Sequence, residues 1–397
     1  MTYLDYCATT PIAKEVYEAM IPYLTLEYGN PSSKYYKLAA SAKEAVEESR
    51  LWVAKLINTQ PQSIVFTSGA TESTNMIIKG IADYQKLYTK KGNHIITSMV
   101  EHKATLNTCK FLNGELYSNK DSSFSITDKI LKVDRGYEVT FLEVNKYAQV
   151  EPENLLDNIK NSTILVSLIW GNNEIGTIND ILKLAEISHS KMVPIHSDAT
   201  QVIAKIDVDV EKTKVDFLSF SAHKLNGPKG VGAAYIREDD FGLPPISSLI
   251  HGGEQENGLR AGTLAVHNIV GFGKAAEIVI RDKAKNQQHY LEIDREINSL
   301  LKKIEGIEIL GDPDNKLPGI LSLIIKNEDF NNERFIKKIS DKYCLSSGSA
   351  CTAGQPSHVL KAIGLENMTG NVLRISYGTK TSKSEIMDAL NFIINNI

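Results

Sequence analysis

Cysteine is scarce in this chain. Only Cys7, Cys109, Cys344 and Cys351 occur among 397 residues, and no two of them form a CxxC pair. That pattern excludes a disulfide framework and the usual spacing of a structural zinc site, so no metal is expected. Reduced thiols are the default, and one of them can be reactive where its surroundings favour the thiolate. Long apolar runs are missing too; nothing reaches the length needed to span a bilayer, so no membrane contact is expected. The opening "MTYLDYCATTP" has neither the basic start nor the apolar core of a secretion signal. A cytoplasmic protein is therefore expected. Nor is there an excess of positive charge, since the net charge is −4. No global basic field marks a nucleic-acid binder, and no direct nucleic-acid partner is expected.

What remains is a soluble-type composition, 42% hydrophobic and 23% charged, in a chain long enough for two domains. From about residue 60 to 236, apolar strand-like runs alternate with helix-like segments. "SIVFTS" precedes "ATESTNMIIKGIADY", "NHIITSM" precedes "ATLNTCKFLNG", and "STILVSLIW" precedes "NDILKLAEISHS"; then come "MVPIHSDA", "VDFLSFSA" and "VGAAYI". Short, almost continuously apolar strands separated by helices imply a mostly parallel sheet covered on both faces. Ahead of them, Ala42, Val46, Val53 and Ile57 line one face of an amphipathic helix. Beyond Gly262 a long polar helix is expected over roughly 270–304, followed by short strands and helices, with Ser382 and Glu385 spaced for a capping box. The organisation expected is a large α/β domain over 13–261 and a smaller α/β domain built from 1–12 and 262–397. The polar stretch 113–136 reads as a surface insertion.

In sheets of this kind ligands gather at the carboxyl ends of the strands, so the residues just after each run carry the chemistry. "DFLSFSAHKLNGPKGVG" runs out of a buried strand into Lys224. Partial desolvation there favours the neutral amine that a Schiff base needs. Taken alone, Lys224 reads first as a surface lysine in a glycine-rich turn. Other strand ends change that balance. After "IVFTSG" a helix opens at Ala70 and Thr71, whose free N–H groups and hydroxyl suit a phosphate. "VPIHSDATQ" puts Asp198 and Gln201 past a second strand, where an acid is either a helix cap or the partner of a pyridinium nitrogen. Asn173 in "IWGNNEIG" and His102 in "SMVEHKA" follow two more. A phosphate site, an acid, a partner for a flat ring and a lysine are together what pyridoxal phosphate requires.

The motifs "YLDYCATTP", "GNPSS", "FTSGATES", "EHKA", "NNEIG", "DATQ", "SFSAHKLNGPKG", "HGGEQENGLRAGT", "SSGSACT" and "LRISYG" run through almost the whole chain. As a set they resemble the cysteine desulfurases, pyridoxal-phosphate enzymes of the class V aminotransferase group with the fold type I architecture. The resemblance implies conversion of L-cysteine to L-alanine, with the sulfur passed to an acceptor protein. It implies that Lys224 holds the cofactor covalently and moves the substrate's α-proton. Asp198 would keep the pyridine nitrogen protonated, Gln201 would bond the ring hydroxyl, and His102 would stack on the ring and assist proton transfer. Ala70, Thr71, Ser221 and His223 would hold the phosphate, with Thr263 reaching it from the other subunit of a homodimer. Arg374, helped by Asn173, would fork onto the substrate carboxylate, which a lysine could not reproduce. Cys351 of "SSGSAC" would take the sulfur as a persulfide, whereas a structural reading leads for Cys7, Cys109 and Cys344.

The chain departs from the family's pattern at Glu254 and Asn257, where glycine and arginine are common, and at Cys7, usually alanine or asparagine. Five residues, 352–356, separate Cys351 from the helix-like "SHVLKAIG". At about 3.3–3.6 Å per residue, so short a tether presents the thiol near the cofactor but does not carry it far outward. The rival readings are another class V activity (a transaminase, a selenocysteine lyase or a sulfinate desulfinase) and a non-catalytic subunit that binds a partner. Iron–sulfur assembly, tRNA thiolation and DNA phosphorothioation all begin with cysteine desulfuration. The short tail and the opening "MTYLD" tilt the expected destination to the last.

Overall fold

The computed structural model describes residues 1–115, 132–239, 241–348 and 357–397. Cys351 and most of the expected insertion, 116–131, lie outside the described residues. Glu115 and Lys132, at the insertion's two ends, meet in an antiparallel bridge.

The strands are β1 (Thr2–Tyr3), β2 (Ile64–Thr67), β3 (His94–Ser98), β4 (Glu138–Leu142), β5 (Thr163–Ile169) and β6 (Ile195–Asp198). They continue with β7 (Phe217–Ser221), β8 (Gly232–Ile236), β9 (Ile307–Ile309), β10 (Ile320–Ile325), β11 (Tyr343–Cys344) and β12 (Val372–Ser376). The large sheet has seven strands in the order β2-β8-β7-β6-β5-β3-β4. Every residue of the interior strand β5 is buried. Its isoleucines, leucines and valine each contribute about 1.5–3 kcal/mol by leaving water, which is why a run without polar alternation settles mid-sheet.

One strand breaks the parallel pattern. β8 is antiparallel to both β7 and β2. The link from Ser221 to Gly232 is too short to hold a crossover helix, so the chain has to return beside the strand it left. This reversal brings the start of β8 to the edge where β7 and β2 end. An added Cβ at Gly232 would come within 2.6 Å of Gly69 Cα, so only glycine lets β8 pass the turn after β2.

The helix Lys37–Leu56 buries Ala42, Val46 and Val53, and Ile57 caps its end. It packs on the helix Val266–Arg281 with backbones so close that a Cβ at Gly273 would meet Ser49 Cα at 2.6 Å. Ile269, Phe272 and Ala276 thereby join the core of the large sheet. The chain leaves that core after Arg281, not near residue 262 as the change in composition suggests. The single long helix expected over 270–304 is two, Val266–Arg281 and Lys283–Leu301, parted at Asp282. Arg281 binds Asp282 and Glu15 together, fixing the break.

A second core begins at Tyr290 and gathers Ile293, Leu323, Leu373, Ile386 and, from the other end of the chain, Leu4. Its three-stranded antiparallel sheet runs β12-β10-β9, and β1 pairs in parallel with β11. The Ser382–Glu385 capping box is present at the last helix, Lys383–Ile394. Among the described residues, no helix is long and apolar enough to cross a membrane.

Candidate active site

The parallel strands bring the ends of β2, β5, β6 and β7 to one edge of the sheet, beside a cavity of about 540 Å³. After β7 the chain makes one tight helical turn, Ala222–Lys224, which swings Lys224 into that cavity. Its ammonium donates to Ala8 O at 2.9 Å and to Cys7 O. Burial is the largest influence on it and lowers its pKa to about 8, with Lys205 and Arg374 pushing the same way against Cys7 and Asp198. A lysine in this state gives up its proton far more readily than one in water.

Asp198 ends the adjacent strand, is 4% exposed, and accepts an N–H from Thr200 at 2.9 Å. Thr200 also lines the cavity, with its Oγ1 buried and without a partner. Gln201 donates from Nε2 to Cys7 O at 3.0 Å. Ala70 opens the helix Ala70–Asp83 with Gly69 at its N-cap, so its first N–H groups are free of intrahelical partners. Thr71, Ser221 and His223 border the same corner. Burial, aided by Lys224 and Lys229, lowers the His223 pKa to about 4, so the imidazole is neutral near pH 7.

His102 caps the helix Lys103–Leu112 by accepting the Ala104 N–H at Nδ1, 3.2 Å away. That leaves Nε2 as the protonated nitrogen. The preceding residue, Glu101, is wholly buried and accepts from Ser98 Oγ and from Ile169 N at 3.0 Å, tying the ends of β3 and β5 together. Burial raises its pKa to about 8.

Arg374 reaches the cavity from β12 of the second sheet, 2% exposed. Its Nη1 donates to Asn173 O and Gly348 O, each at 2.8 Å, and its Nη2 donates to Asp5 Oδ1 at 2.8 Å. Its Nε is buried without a partner. Ser357 Oγ donates to Glu174, and His358 Nε2 lies 2.9 Å from Glu101 O. Gly348 and Ser357 are the described residues flanking the segment with Cys351, so both flanks are tied to the cavity wall.

Ala70, Thr71, His102, Asn173, Asp198, Gln201, Ser221, His223, Lys224 and Arg374 thus line one cavity. Thr263 does not. It is exposed, beyond a loop pinned to the large sheet by Glu256, which accepts from Arg50 and from Phe66 N at 2.7 Å. Sequence patterns single out neither Glu72, Glu174, Thr200 nor His358, all of which line the cavity. Glu72 accepts from Arg260 Nε and Ser68 N, and these bonds keep it ionised against the pull of burial. The structural expectation for Cys7 is incomplete. It is buried, yet it lines the cavity, and its carbonyl is the shared acceptor of Lys224 and Gln201. Its place beside Thr9 and Thr10 in an N-terminal turn was the available signal. Cys109 is buried in the core, and Cys344 lies in β11.

The class V aminotransferase family model matches residues 2–119 and 116–389. Cysteine desulfurase IscS of Neisseria gonorrhoeae is 42% identical over 404 residues, spanning all of this chain and 92% of that one. The chain belongs to the cysteine desulfurases. Members of this family depend on pyridoxal phosphate. Among solved structures, a NifS-like protein has a TM-score of 0.86 at 33% identity, over 99% of this chain and 98% of that one. SspA in complex with cysteine has a TM-score of 0.78 at 33% identity, over 96% and 100%.

The cavity suits the desulfurase cofactor on its own chemistry. It has a buried acid on one strand end, an amine of lowered basicity on the next, and open N–H groups at a helix start.

Proposed function

We propose that this desulfurase moves the sulfur of L-cysteine onto Cys351, leaving L-alanine and a Cys351 persulfide. Atoms balance: the C–S bond of cysteine breaks, an S–S bond to Cys351 forms, the α-proton taken from cysteine is given back, and of the two thiol hydrogens one goes to the methyl group of alanine and the other stays on the persulfide. Bound pyridoxal phosphate supplies the electron sink that labilises the substrate's Cα–H and C–S bonds. Lys224 holds that group and carries the α-proton, a task suited to an amine that loses its own proton near pH 8. Asp198 would keep the ring nitrogen protonated, Gln201 would donate to the ring oxygen, and His102 would stack on the ring. The N–H groups of Ala70 and Thr71, with Ser221 and His223, hold the phosphate. Thr263 of the partner subunit completes that cradle in a homodimer. Arg374 and Asn173 hold the substrate carboxylate; Arg374 has to exchange its bond to Gly348 or Asn173 for it.

The observation that carries this reading is the meeting of Lys224, Asp198 and His102 in one cavity from three separate strand ends. Replacing Cys351 by serine tests it. The variant should keep the cofactor's yellow colour and its spectral response to L-cysteine, yet form neither persulfide nor alanine. Desulfuration at the native rate would sink the role of Cys351.

The sulfur then passes to a thiol of an acceptor protein. We take DNA phosphorothioation as its destination, ahead of iron–sulfur assembly and tRNA thiolation, on the similarity of the opening "MTYLD" to desulfurases of phosphorothioation systems. Labelled persulfide transfer to purified acceptors of the three systems decides between them.

A further inference from the structure

Lys205 stands four residues beyond Gln201, in the run of turns that follows β6. Its ammonium donates to Gln201 Oε1 at 3.1 Å. The other end of the same amide donates to Cys7 O, which also accepts from Lys224. Lys224 borders the cofactor cavity and also a second cavity of about 460 Å³, on which Lys205 opens. A single hydrogen-bonded chain therefore links Lys205, Gln201, the Cys7 carbonyl and Lys224.

The polarity of that chain is over-determined. An ammonium can only donate and a carbonyl can only accept. Lys205 thus admits only the oxygen of the Gln201 amide on its side, while Cys7 O admits only the nitrogen. A reversed amide would set Oε1 against Cys7 O and two donors against an ammonium. Among the described residues no carboxylate pairs with Lys205, so its charge is not cancelled on the spot.

We infer that Lys205 is a positioning residue of this active site, locking the Gln201 amide with its oxygen on the Lys205 side and its N–H on the Cys7 and cofactor side. The inference rests on the functional reading above for what Gln201 faces. The electrostatics agree in sign: burial does most to lower the Lys224 pKa, and Lys205 and Arg374 are the cations that add to it, opposed by Cys7 and Asp198. Burial lowers the pKa of Lys205 itself, with Cys7 and Arg374 as the other groups that act on it. Opening onto the second cavity lets water reach the ammonium's remaining donors, which favours retention of its charge.

The test uses the full-length protein stripped of cofactor, with Lys205→Met and Lys205→Arg. The first readout is the pH dependence of Lys224 labelling by an amine-reactive reagent, read by peptide mass spectrometry. Its midpoint should rise by about one unit in Lys205→Met, as expected when a nearby like charge is removed, and return in Lys205→Arg. The second is the affinity for added pyridoxal phosphate, followed by visible absorbance. Leaving Gln201 Oε1 unpaired should weaken it about tenfold in Lys205→Met, with rescue by Lys205→Arg. Where Lys205→Met does not fold, neutral Lys205→Gln replaces it, with the same midpoint shift expected. A wild-type midpoint in the neutral variant overturns the inference, and so does a loss that arginine fails to rescue. The labelling arm needs no cofactor. A wild-type protein that bound no pyridoxal phosphate would therefore sink the functional reading and leave this arm standing.

Discussion

Lys224 shows how one residue's surroundings set its chemistry. Its pKa of about 8 lies well below that of a free lysine, chiefly through burial. The neutral amine therefore gains ground as pH rises through 8. Covalent capture of pyridoxal phosphate by the stripped protein should speed up over that range and level off above it; Lys224→Ala should abolish it and Lys229→Ala should not. Stopped-flow absorbance checks the profile, and a flat one from pH 6.5 to 9.5 would contradict it. Glu101 is the opposite case, a carboxyl raised to about 8 by burial. Between its ordinary value near 4.5 and about 8 the native state binds the extra proton, so Glu101 makes stability fall as pH rises through that window. Glu101→Gln should remove that decline, seen as a flatter melting temperature between pH 5 and 8. Arg374 forks between Asn173, Gly348 and Asp5. A lysine offers no such fork, so Arg374→Lys should raise KM for cysteine about tenfold or more, with a smaller fall in kcat. Steady-state kinetics would show the split.

At the scale of elements, the loop after β8 matters as much as the strands. Glu256 sits at φ 49 and Asn257 at φ 55, a left-handed pair that turns the Glu256 carboxylate inward. There it meets both terminal nitrogens of Arg50 and the N–H of Phe66 within β2. Removing one partner of such a buried pair leaves an uncompensated charge. Glu256→Ala should cost about 3–5 kcal/mol, measured by denaturant unfolding. A change below 1 kcal/mol would mean the loop is not anchored there. The strands β2, β3, β5, β6 and β7 and the helix Ala70–Asp83 were all legible from apolar runs and their bounding turns. β4 was not, because its first four residues are only partly buried or exposed and give no continuous apolar run. The direction of β8 and the break at Asp282 were not legible from periodicity either, since both are set by packing.

For the whole molecule, the decisive question is whether the site is complete in one chain. Thr263 is exposed and outside the cavity, as a residue given to a neighbouring subunit would be. Co-expressing Lys224→Ala and Thr263→Ala subunits tests sharing. If Thr263 crosses over, one site of each mixed dimer carries both changes and the other carries neither. With random pairing about a quarter of all sites are then wild type, and activity should recover to about that level. No recovery would place Thr263 in its own subunit's site or outside any site. The sequence by itself determined the chemistry on offer: which residue types follow which strands, and hence the lysine, acid, histidine and helix start of a pyridoxal-phosphate site. Those are local properties, carried by residues within a few positions of a strand end. Only the tertiary structure decided that Cys7 and Thr200 line that site, that Lys205 bonds Gln201 from behind it, and that Arg374 reaches it from another sheet. Such contacts join residues as much as 369 positions apart, as between Asp5 and Arg374. They depend on burial and on the direction of packed elements, neither of which has a period along the chain.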